Sequence, residues 1–332
     1  MKILITPPDT ATWKTFMTEE NLAFLKTLGD VVCNETDHVY SEDELREAIR
    51  DVDIAITGWG TSCFTEHVME NANKLKLIAH TAGSVGSLVS DAVYEKGVRV
   101  VTGNDGFAES VAEGTMAYIL ASQRKIPQFN RDVHVKGWGP LDYKDYSLLR
   151  KRVGIVGYGA VSKFLIPMLK PFRCEILLYS GHMTEEEAKA VGATKATLEE
   201  IFSTCDIVSL HTSATPKNAG LITKELLAMM PDNALLVNTA RPAVLDEDAL
   251  YDECKTGRLR AFLDVHKDEA ILPMESRMRW LDDVLLMPHH AGPTIDYRRY
   301  AARYALEDVA RFLKGEELEH EISHKRAATM TR

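Results

Sequence analysis

The sequence predicts an α/β protein made of two domains, each built around a doubly wound parallel sheet. Short apolar stretches typical of buried strands alternate with helical segments over residues 3–101, and the alternation returns over residues 153–287. Strands separated by helices favour a parallel sheet with helices on both faces. The chain has 332 residues, which is long enough for two separate cores.

The first series contains five predicted strands and at least two helices. The strands are expected at residues 3–5, 30–33, 54–57, 75–79 and 98–101. A helix is predicted over residues 19–28, because Gly29 is a typical residue after a helix end. Another is predicted to run to residue 49 after a capping box formed by Ser41 and Glu44.

The second series contains six predicted strands, at residues 153–157, 174–179, 207–211, 235–238, 260–264 and 284–287. A long helix that opens at Ser110 and runs to about residue 123 precedes them. A final helix over residues 297–314 is expected to return to the first domain. The predicted domains are therefore residues 1–101 with 295–332, and residues 102–294.

The composition narrows the classes of partner and compartment. The net charge is -10 and no run of Lys and Arg interrupts it, which argues against a nucleic-acid partner; the short basic segment 324–326 is predicted to be a solvated terminus. The apolar stretch 1–5 is too short for a signal peptide or a membrane span, so no membrane partner is expected. Five cysteines without a C-x-x-C pair favour free thiols in a cytoplasmic protein, and no metal site is expected.

A glycine turn marks the start of the second series. A buried strand is followed by Gly157 and Gly159, and a helix begins at Ala160 and Val161. The free N–H groups and the dipole of such a helix start suit a pyrophosphate group. Alone, the turn is equally compatible with a plain strand-to-helix joint, and Ser162 takes the place of the usual third glycine.

Polar side chains follow the later strands of this series, at the point where each strand ends. They are Arg241, Asp264, Glu269 and His289. Singly, Arg241 could be a surface ion-pair residue, Glu269 a solvated side chain, Asp264 a helix cap and His289 a loop residue. Because the carboxyl ends of parallel strands lie at one edge of the sheet, all four are expected near one another.

These residue types match the chemistry of reducing a 2-oxo acid. That reaction needs a hydride donor, a proton donor for the ketone oxygen and a cation for the carboxylate. A histidine titrates near neutral pH, and a neighbouring carboxylate raises its pKa and fixes its tautomer. An arginine offers a planar fork that matches a carboxylate. His289, Glu269 and Arg241 fit these roles.

Seven motifs occur in a fixed order along the chain. They are S-V-A-E at 110–113, L-R-K-R-V-G-I-V-G-Y-G at 149–159, C-D-I-V-S-L-H-T-S-A-T-P-K-N-A-G-L-I at 205–222, L-V-N-T-A-R at 236–241, L-D-E-D-A-L at 245–250, L-D-V-H-K-D-E at 263–269 and M-P-H-H-A-G at 287–292. With this set the chain resembles the D-isomer-specific 2-hydroxyacid dehydrogenases over nearly its whole length. The resemblance implies a Rossmann NAD(P)-binding domain inserted in a flavodoxin-like substrate domain. It also implies a homodimeric enzyme that uses NAD or NADP and a small 2-oxo or D-2-hydroxy acid.

The resemblance further implies site residues. Arg241, Glu269 and His289 would form the catalytic set, with His289 chosen over His290 because it directly follows a proline. Asp264 would orient the nicotinamide carboxamide. Cofactor contacts are expected at Gly157, Gly159, Ala160, Val161, Ser180, Thr212, Ser213, Pro216, Thr239, Ala240, Arg241, Asp264, His289 and Ala291.

Substrate contacts are expected at Trp59, His80, Ser84 and Val85, together with Arg241. Backbone N–H groups of the turn at 83–86 would hold the substrate carboxylate. His80 would read a polar substituent, which favours hydroxypyruvate or glyoxylate as the substrate. An ordinary histidine at a strand end is the alternative interpretation.

Three positions depart from the family pattern. Ser180 stands where the family usually has an acidic residue that binds the adenosine ribose, so both NAD and NADP stay open. Pro242 replaces the usual glycine after Arg241. Because proline restricts the residue before it to extended conformations, either Arg241 is held stiffly or its loop differs from that of the family. Ser87 and Ser90 replace a pair of aspartates after the substrate turn, which concerns local structure.

Two other functions fit the same fold. One is a non-catalytic, NAD-sensing binding protein of the corepressor type, which would retain cofactor binding without turnover. The other is a different Rossmann enzyme such as a methyltransferase, in which Arg241, Glu269 and His289 have no evident role.

Overall fold

A computed structural model describes residues 1–139, 144–267 and 274–330. The strands are β1 (Lys2–Ile5), β2 (Asp30–Cys33), β3 (Ile54–Thr57), β4 (Leu77–His80), β5 (Arg99–Thr102), β6 (Arg152–Val156), β7 (Glu175–Tyr179), β8 (Thr194–Lys195), β9 (Ile207–Leu210), β10 (Leu235–Asn238), β11 (Arg260–Leu263) and β12 (Val284–Leu286). The helices are α1 (Ala11–Phe16), α2 (Glu19–Leu28), α3 (Glu42–Ala48), α4 (Glu66–Asn71), α5 (Asp91–Glu95), α6 (Asn104–Gln123), α7 (Ile126–Lys136), α8 (Ala160–Leu169), α9 (Glu185–Val191), α10 (Leu198–Thr204), α11 (Lys224–Met229), α12 (Glu247–Cys254), α13 (Arg298–Lys314) and α14 (His324–Ala327). In these described ranges, no helix has the length and apolar character needed to cross a membrane.

The chain divides into two compact units. The first unit comprises residues 1–110 and 293–332, and the second comprises residues 111–292. Sequence analysis places the corresponding bounds at 101/102 and 294/295. The assignment of one unit to the substrate and the other to the cofactor stays a prediction.

The first unit contains a five-stranded sheet in the order β2-β1-β3-β4-β5, with every neighbouring pair parallel. This is the flavodoxin-like order, as predicted. Helix α13 packs on one face of the sheet, because its apolar stripe (Ala302, Ala305, Leu306 and Val309) shares a core with strand residues such as Ile3.

The second unit contains a seven-stranded parallel sheet in the order β12-β11-β10-β9-β6-β7-β8. Successive strands are added on one side of β6 up to β8 and on the other side from β9 onward, so the strand order reverses at β6. This is the Rossmann arrangement with one additional strand, and ligands bind such sheets where the strand order reverses. The prediction of two doubly wound parallel sheets is confirmed.

The local signals of the first unit act as predicted. Ser41 and Glu44 form a reciprocal capping box at the start of α3. The backbone N–H of Ser41 donates to the Glu44 carboxylate at 2.8 Å, and this bond is the main reason that the pKa of Glu44 falls to about 2.

The predicted start of the long helix at Ser110 is wrong. Helix α6 begins at Asn104, and Ser110 lies inside it, 3% exposed. Packing against α13 explains the earlier start: a Cβ added at Gly106 would lie 2.5 Å from the Cα of Ala301, so only glycine permits this close approach. Gly106 therefore lets α6 and α13 touch.

Helix α7 and strand β8 are among the elements for which no regular structure is predicted. Helix α7 opens with Pro127 in its first turn, a position where the missing N–H costs little. Strand β8 has two residues and pairs with β7 at the sheet edge. Both are short or polar, so the apolar pattern does not reveal them.

A buried carboxylate ties the chain end to α13. Asp308 is 0% exposed and accepts hydrogen bonds from the backbone N–H groups of Glu319 and His320 and from Arg311. Its second oxygen lies 3.1 Å from Nδ1 of His320. Burial alone would raise the pKa of Asp308, but these bonds together lower it.

The terminal residues after this carboxylate are folded, and His324 is nevertheless exposed, as predicted for the solvated segment 324–326. Ser323 caps α14, the His324 ring stacks on Tyr94 with centroids 4.9 Å apart, and Ala327 is buried in the first unit's core. Lys325 and Arg326 are exposed as predicted. One buried alanine and one stacked ring are enough to dock the segment.

We expect the stability of the protein to fall between pH 6 and pH 9 because of His320. Its hydrogen bond to Asp308 raises the pKa of His320 in the folded state, while burial opposes the rise. A raised folded pKa means that the contribution is fully present below the ordinary value and is lost as pH rises through the raised one. Replacing His320 with Gln should cost about 1–3 kcal/mol at pH 6 and less at pH 9 in urea unfolding. The His134→Gln variant, altered at an exposed histidine, is the control, and an unchanged pH dependence in His320→Gln would contradict the assignment.

Candidate active site

The predicted site residues of the second unit follow six strands that are neighbours in the sheet. Their spatial order is β7, β6, β9, β10, β11 and β12. All are parallel, so their carboxyl ends share one edge. The glycine turn, the loop at Thr212, Arg241, Asp264 and His289 therefore lie along that edge, as predicted.

Gly157 is required both by its backbone and by its neighbours. Its φ is +102°, a conformation that residues with a side chain rarely adopt. A Cβ at this position would lie 2.8 Å from the carbonyl oxygen of His211 and 2.9 Å from the backbone nitrogen of Thr212. The glycine lets the β6 turn and the loop after β9 touch.

Gly159 has a different explanation. A Cβ added there would meet nothing within 4 Å, and its φ of −125° suits any residue, so the protein itself does not require a glycine. It precedes α8, whose N-terminus has no side-chain cap. Open space beside uncapped N–H groups is what a pyrophosphate needs, so the residues fit a dinucleotide.

Ser162 explains how the turn works without a third glycine. Its side chain is fully buried, and its hydroxyl donates to the carbonyl oxygen of Gly157 at 2.7 Å. The small side chain keeps α8 close to the sheet and also fixes the turn. Ala160 and Val161 begin the helix above it, as predicted.

The end of β7 carries no acidic group. Ser180 is 9% exposed, and its hydroxyl accepts the backbone N–H of His182 at 3.4 Å. The next acidic residues along the chain are Glu185 and those after it, in the first turn of α9. The chain therefore places no carboxylate at 180–183, where a ribose-binding acid would repel a 2′-phosphate.

The side chain of Asn218 stabilises the loop after β9 by hydrogen bonds. Asn218 donates from its side-chain amide to the Thr212 hydroxyl at 2.8 Å and to the Ser213 carbonyl at 3.0 Å. Pro216 lies in the turn between them. These bonds hold the two predicted cofactor residues in a fixed loop.

Arg241 follows β10 in an extended conformation, with φ −146° and ψ +145°, as Pro242 requires. The Asn238 side chain bridges the loop, accepting the N–H of Ala240 at 3.0 Å and donating to the carbonyl of Arg241 at 3.2 Å. One step earlier, the Thr239 hydroxyl lies 3.1 Å from that of Thr115. The backbone around Arg241 is therefore rigid on both sides.

Asp264 fastens the segment that carries His289. One carboxylate oxygen accepts the backbone N–H of His290 at 2.7 Å, and the other accepts that of Ala291 at 2.9 Å. The carbonyl oxygen of Asp264 accepts the N–H of His289 at 2.8 Å, and its own N–H donates to Asn238. Asp264 thereby connects the Arg241 loop to the His289 loop.

His289 adopts a left-handed conformation with φ +53°, which is uncommon for a residue with a side chain. Both His289 and His290 are exposed. Strained, exposed residues of this kind concentrate at functional sites. Glu269, its predicted partner, lies outside the described residues.

Two of the predicted substrate residues of the first unit, His80 and Val85, are buried. His80 is 5% exposed at the end of β4, its Nδ1 lies 2.9 Å from the Thr57 hydroxyl, and burial lowers the pKa of His80 to about 4. It is therefore a neutral histidine bonded within the sheet. Val85 is fully buried in the core, so this residue can offer only its backbone to a substrate.

The substrate turn and Trp59 are more open. The Ser84 hydroxyl accepts the backbone N–H of Gly86 at 3.2 Å, which shapes the turn. Trp59 follows β3 and is 47% exposed. Both lie at the carboxyl edge of adjacent strands, as predicted.

Several residues that were not predicted as site residues support these loops. Asn238, Asn218 and Thr115 hold the cofactor loops by side-chain bonds. His211 contacts Gly157, its Nε2 lies 2.8 Å from the Ser209 hydroxyl, and burial lowers its pKa to about 4. Asn238 and His211 lie within the quoted motifs at strand ends, and that position was the available signal.

Comparison with known proteins gives the same family. Residues 116–291 match the model of the D-isomer specific 2-hydroxyacid dehydrogenase, NAD binding domain. The chain is 32% identical to the D-3-phosphoglycerate dehydrogenase of Methanocaldococcus jannaschii over 97% of its own length and 59% of that protein. It is 31% identical to the glyoxylate reductase of Thermococcus litoralis over 82% of its length and 84% of that protein. The chain thus spans less than two thirds of the phosphoglycerate dehydrogenase.

Solved structures agree in fold. The D-lactate dehydrogenase with NAD+ from Lactobacillus jensenii matches with a TM-score of 0.80 and 20% identity, covering 98% of this chain and 100% of that one. The predicted nicotinamide cofactor is confirmed by the NAD-binding model that covers the glycine turn and every described strand end of the second unit. From the ordered strand ends, the glycine turn and these matches, the chain belongs to the D-isomer-specific 2-hydroxyacid dehydrogenases.

Proposed function

We propose that the protein transfers a hydride between a nicotinamide dinucleotide and C2 of a small 2-oxo acid or D-2-hydroxy acid. The observation that carries the proposal is the bonding of Asp264, which joins the loop of Arg241 to the loop of His289. A cation for a carboxylate and a histidine that can exchange a proton are thus held by one anchor.

Each residue has a distinct role in this reaction. The dinucleotide, when bound, supplies or accepts the hydride. In reduction His289 donates a proton to the ketone oxygen, and in oxidation it takes the proton from the hydroxyl. Arg241 binds the substrate carboxylate with its planar fork, and Glu269 is the carboxylate that pairs with the imidazolium of His289 in reduction.

The finer proposal is a substrate of the hydroxypyruvate or glyoxylate type. The likeness to a glyoxylate reductase over 84% of that protein's length supports it. His80 gives it no support, because its ring is bonded to Thr57 within the sheet.

We further propose a homodimer in the cytoplasm. The five cysteines are free thiols, which suits a reducing compartment. Exposed apolar side chains on and just after α7, Val133, Val135 and Trp138, suit an interface between two copies.

Replacing His289 with Asn should strongly lower kcat while His290→Asn stays active. Loss of a general acid–base group lowers kcat by about 10²–10⁴-fold, and His290 is the matched control because it is the adjacent exposed histidine. The measurement is oxidation of NADH and NADPH, followed by absorbance, with a panel of 2-oxo acids. If His290→Asn is the inactive variant, the assignment is reversed. If wild type turns over nothing but binds NADH, the non-catalytic binding protein replaces the enzyme.

Replacing Asp264 with Asn should lower both activity and stability. An amide nitrogen cannot accept the N–H of His290 or Ala291, so one bond is lost and the His289 segment shifts. We expect stability to fall by about 1–3 kcal/mol and kcat to fall by about 10–100-fold, since a displaced catalytic group loses its geometry. Thermal unfolding and kcat of the same sample test this. A variant of full activity would show that the anchor does not position His289.

Replacing Ser180 with Asp should make the protein prefer NADH over NADPH. The wild-type protein is expected to accept both NADH and NADPH, because no carboxylate follows β7. An added carboxylate would repel a 2′-phosphate and bind a ribose hydroxyl, so KM for NADPH should rise about tenfold or more while KM for NADH falls. The Ser180→Asn variant controls for size without charge. Equal changes for both cofactors would place the adenosine ribose elsewhere.

A further inference from the structure

Three aromatic rings form a cluster at the carboxyl edge of the first sheet. Trp59 meets Phe16 edge-on with centroids 5.0 Å apart and Phe107 edge-on at 5.7 Å, and Phe16 stacks on Phe107 at 6.1 Å. Phe16 is buried, whereas Trp59 is 47% exposed. The packing fixes Trp59 while leaving part of its ring open.

Arg298, the first residue of α13, lies over this cluster. Its guanidinium carbon is 5.2 Å from the centroid of Trp59 and 5.5 Å from that of Phe16. Its Nε donates to the Pro293 carbonyl and its Nη1 to the Thr15 hydroxyl, each at 3.4 Å. These contacts hold the guanidinium in place.

The charge of Arg298 has no acidic partner in the part of the chain that the structure describes. On the same helix, Arg303 pairs with Glu307 and Arg311 with Asp308, whereas no carboxylate oxygen there lies within 4.0 Å of Arg298. A guanidinium has five N–H donors in a planar fork, and two long bonds use only part of them. A guanidinium with unused N–H donors and no carboxylate partner is suited to binding an anion.

The cluster adjoins the turn proposed to bind the substrate carboxylate. A Cβ at Gly83 in that turn would lie 3.7 Å from the ring of Phe107, which in turn contacts Trp59. Strands β3 and β4 are neighbours, so Trp59 and the turn lie at the same edge. The Phe107 ring therefore lies between this turn and the Trp59 ring, over which Arg298 lies.

We infer that Arg298, held on Trp59, binds a second anionic group of the substrate, a carboxylate or a phosphate on C3 or beyond. The inference rests on the proposed function, since it assumes that a 2-oxo acid binds at this turn. It deepens that function: unsubstituted acids such as glyoxylate leave the guanidinium to water, so they bind more weakly than acids with a second charge.

Steady-state kinetics with matched substrates test the inference. Glyoxylate and hydroxypyruvate have no second charge, 2-oxoglutarate and oxaloacetate have a carboxylate, and 3-phosphonooxypyruvate has a phosphate. In wild type, one charged class should show a lower KM than the uncharged acids, and which class does so tells carboxylate from phosphate. Arg298→Gln should raise that KM about tenfold or more and leave KM for hydroxypyruvate within about twofold.

Two further variants separate recognition from packing. Arg298→Lys keeps the charge and should recover part of the lost affinity. The control is Arg303→Gln, on the same helix as Arg298. It removes a guanidinium whose carbon lies 3.6 Å from the centroid of the Phe24 ring, and it should change no KM. An equal rise in KM for charged and uncharged acids in Arg298→Gln, or no rise at all, overturns the inference while the proposed function stands.

A binding measurement keeps the inference separate from the proposed function. Inorganic phosphate and succinate are titrated against tryptophan fluorescence in wild type, Trp59→Phe and Arg298→Gln. A saturable change that both variants lose supports the anion site even if no 2-oxo acid is turned over, in which case only the proposed function fails. No response to either anion, together with no charge preference in the kinetics, overturns the anion site.

Discussion

The buried carboxylate of Asp264 is the interaction on which the candidate site depends. It lies at the end of β11, 1% exposed, and both oxygens accept backbone N–H groups of the segment after β12. Hydrogen bonds to a charged group contribute about 1.5–3 kcal/mol each, and an unpaired buried carboxylate would cost more than that. The Asp264 carboxylate therefore holds the His289 loop against the end of β11, because losing these bonds would leave a buried carboxylate without partners.

That anchoring explains how the chain tolerates strain at His289. A left-handed residue with a side chain costs about 1–2 kcal/mol, and the three bonds to Asp264 offset the cost. Arg241 is fixed by different means, with a proline on one side and the Asn238 side chain across the loop. In both cases the backbone is rigid, so a reacting side chain starts from a defined position.

The strands and their order follow from apolar pattern, which is why the sheets could be predicted. Continuous buried runs such as β3 and β9 have all residues inside, as parallel sheets require. The start of α6 could not be predicted, because Gly106 reads as a helix breaker until Ala301, nearly 200 residues away in the sequence, is seen against it. The site residues could be placed at strand ends by sequence, but not their bonds. Nothing in the chain order reveals that the Asp264 carboxylate accepts bonds from the backbone 26 and 27 residues later, or that Arg298 lies over Trp59.

The histidines at the strand ends show how environment assigns roles that residue type alone leaves open. His80 in the first unit and His211 in the second each bond a hydroxyl, that of Thr57 and that of Ser209, and burial lowers the pKa of both to about 4. Neither can exchange a proton at neutral pH, so both act as neutral parts of the sheet edge. His289 is exposed, has a positive φ and is held through main-chain bonds to Asp264, and among the described residues no hydrogen bond involves its ring. Of these three histidines, it alone keeps its imidazole available, and this separation of structural from reactive histidines is what the fold contributes to the chemistry.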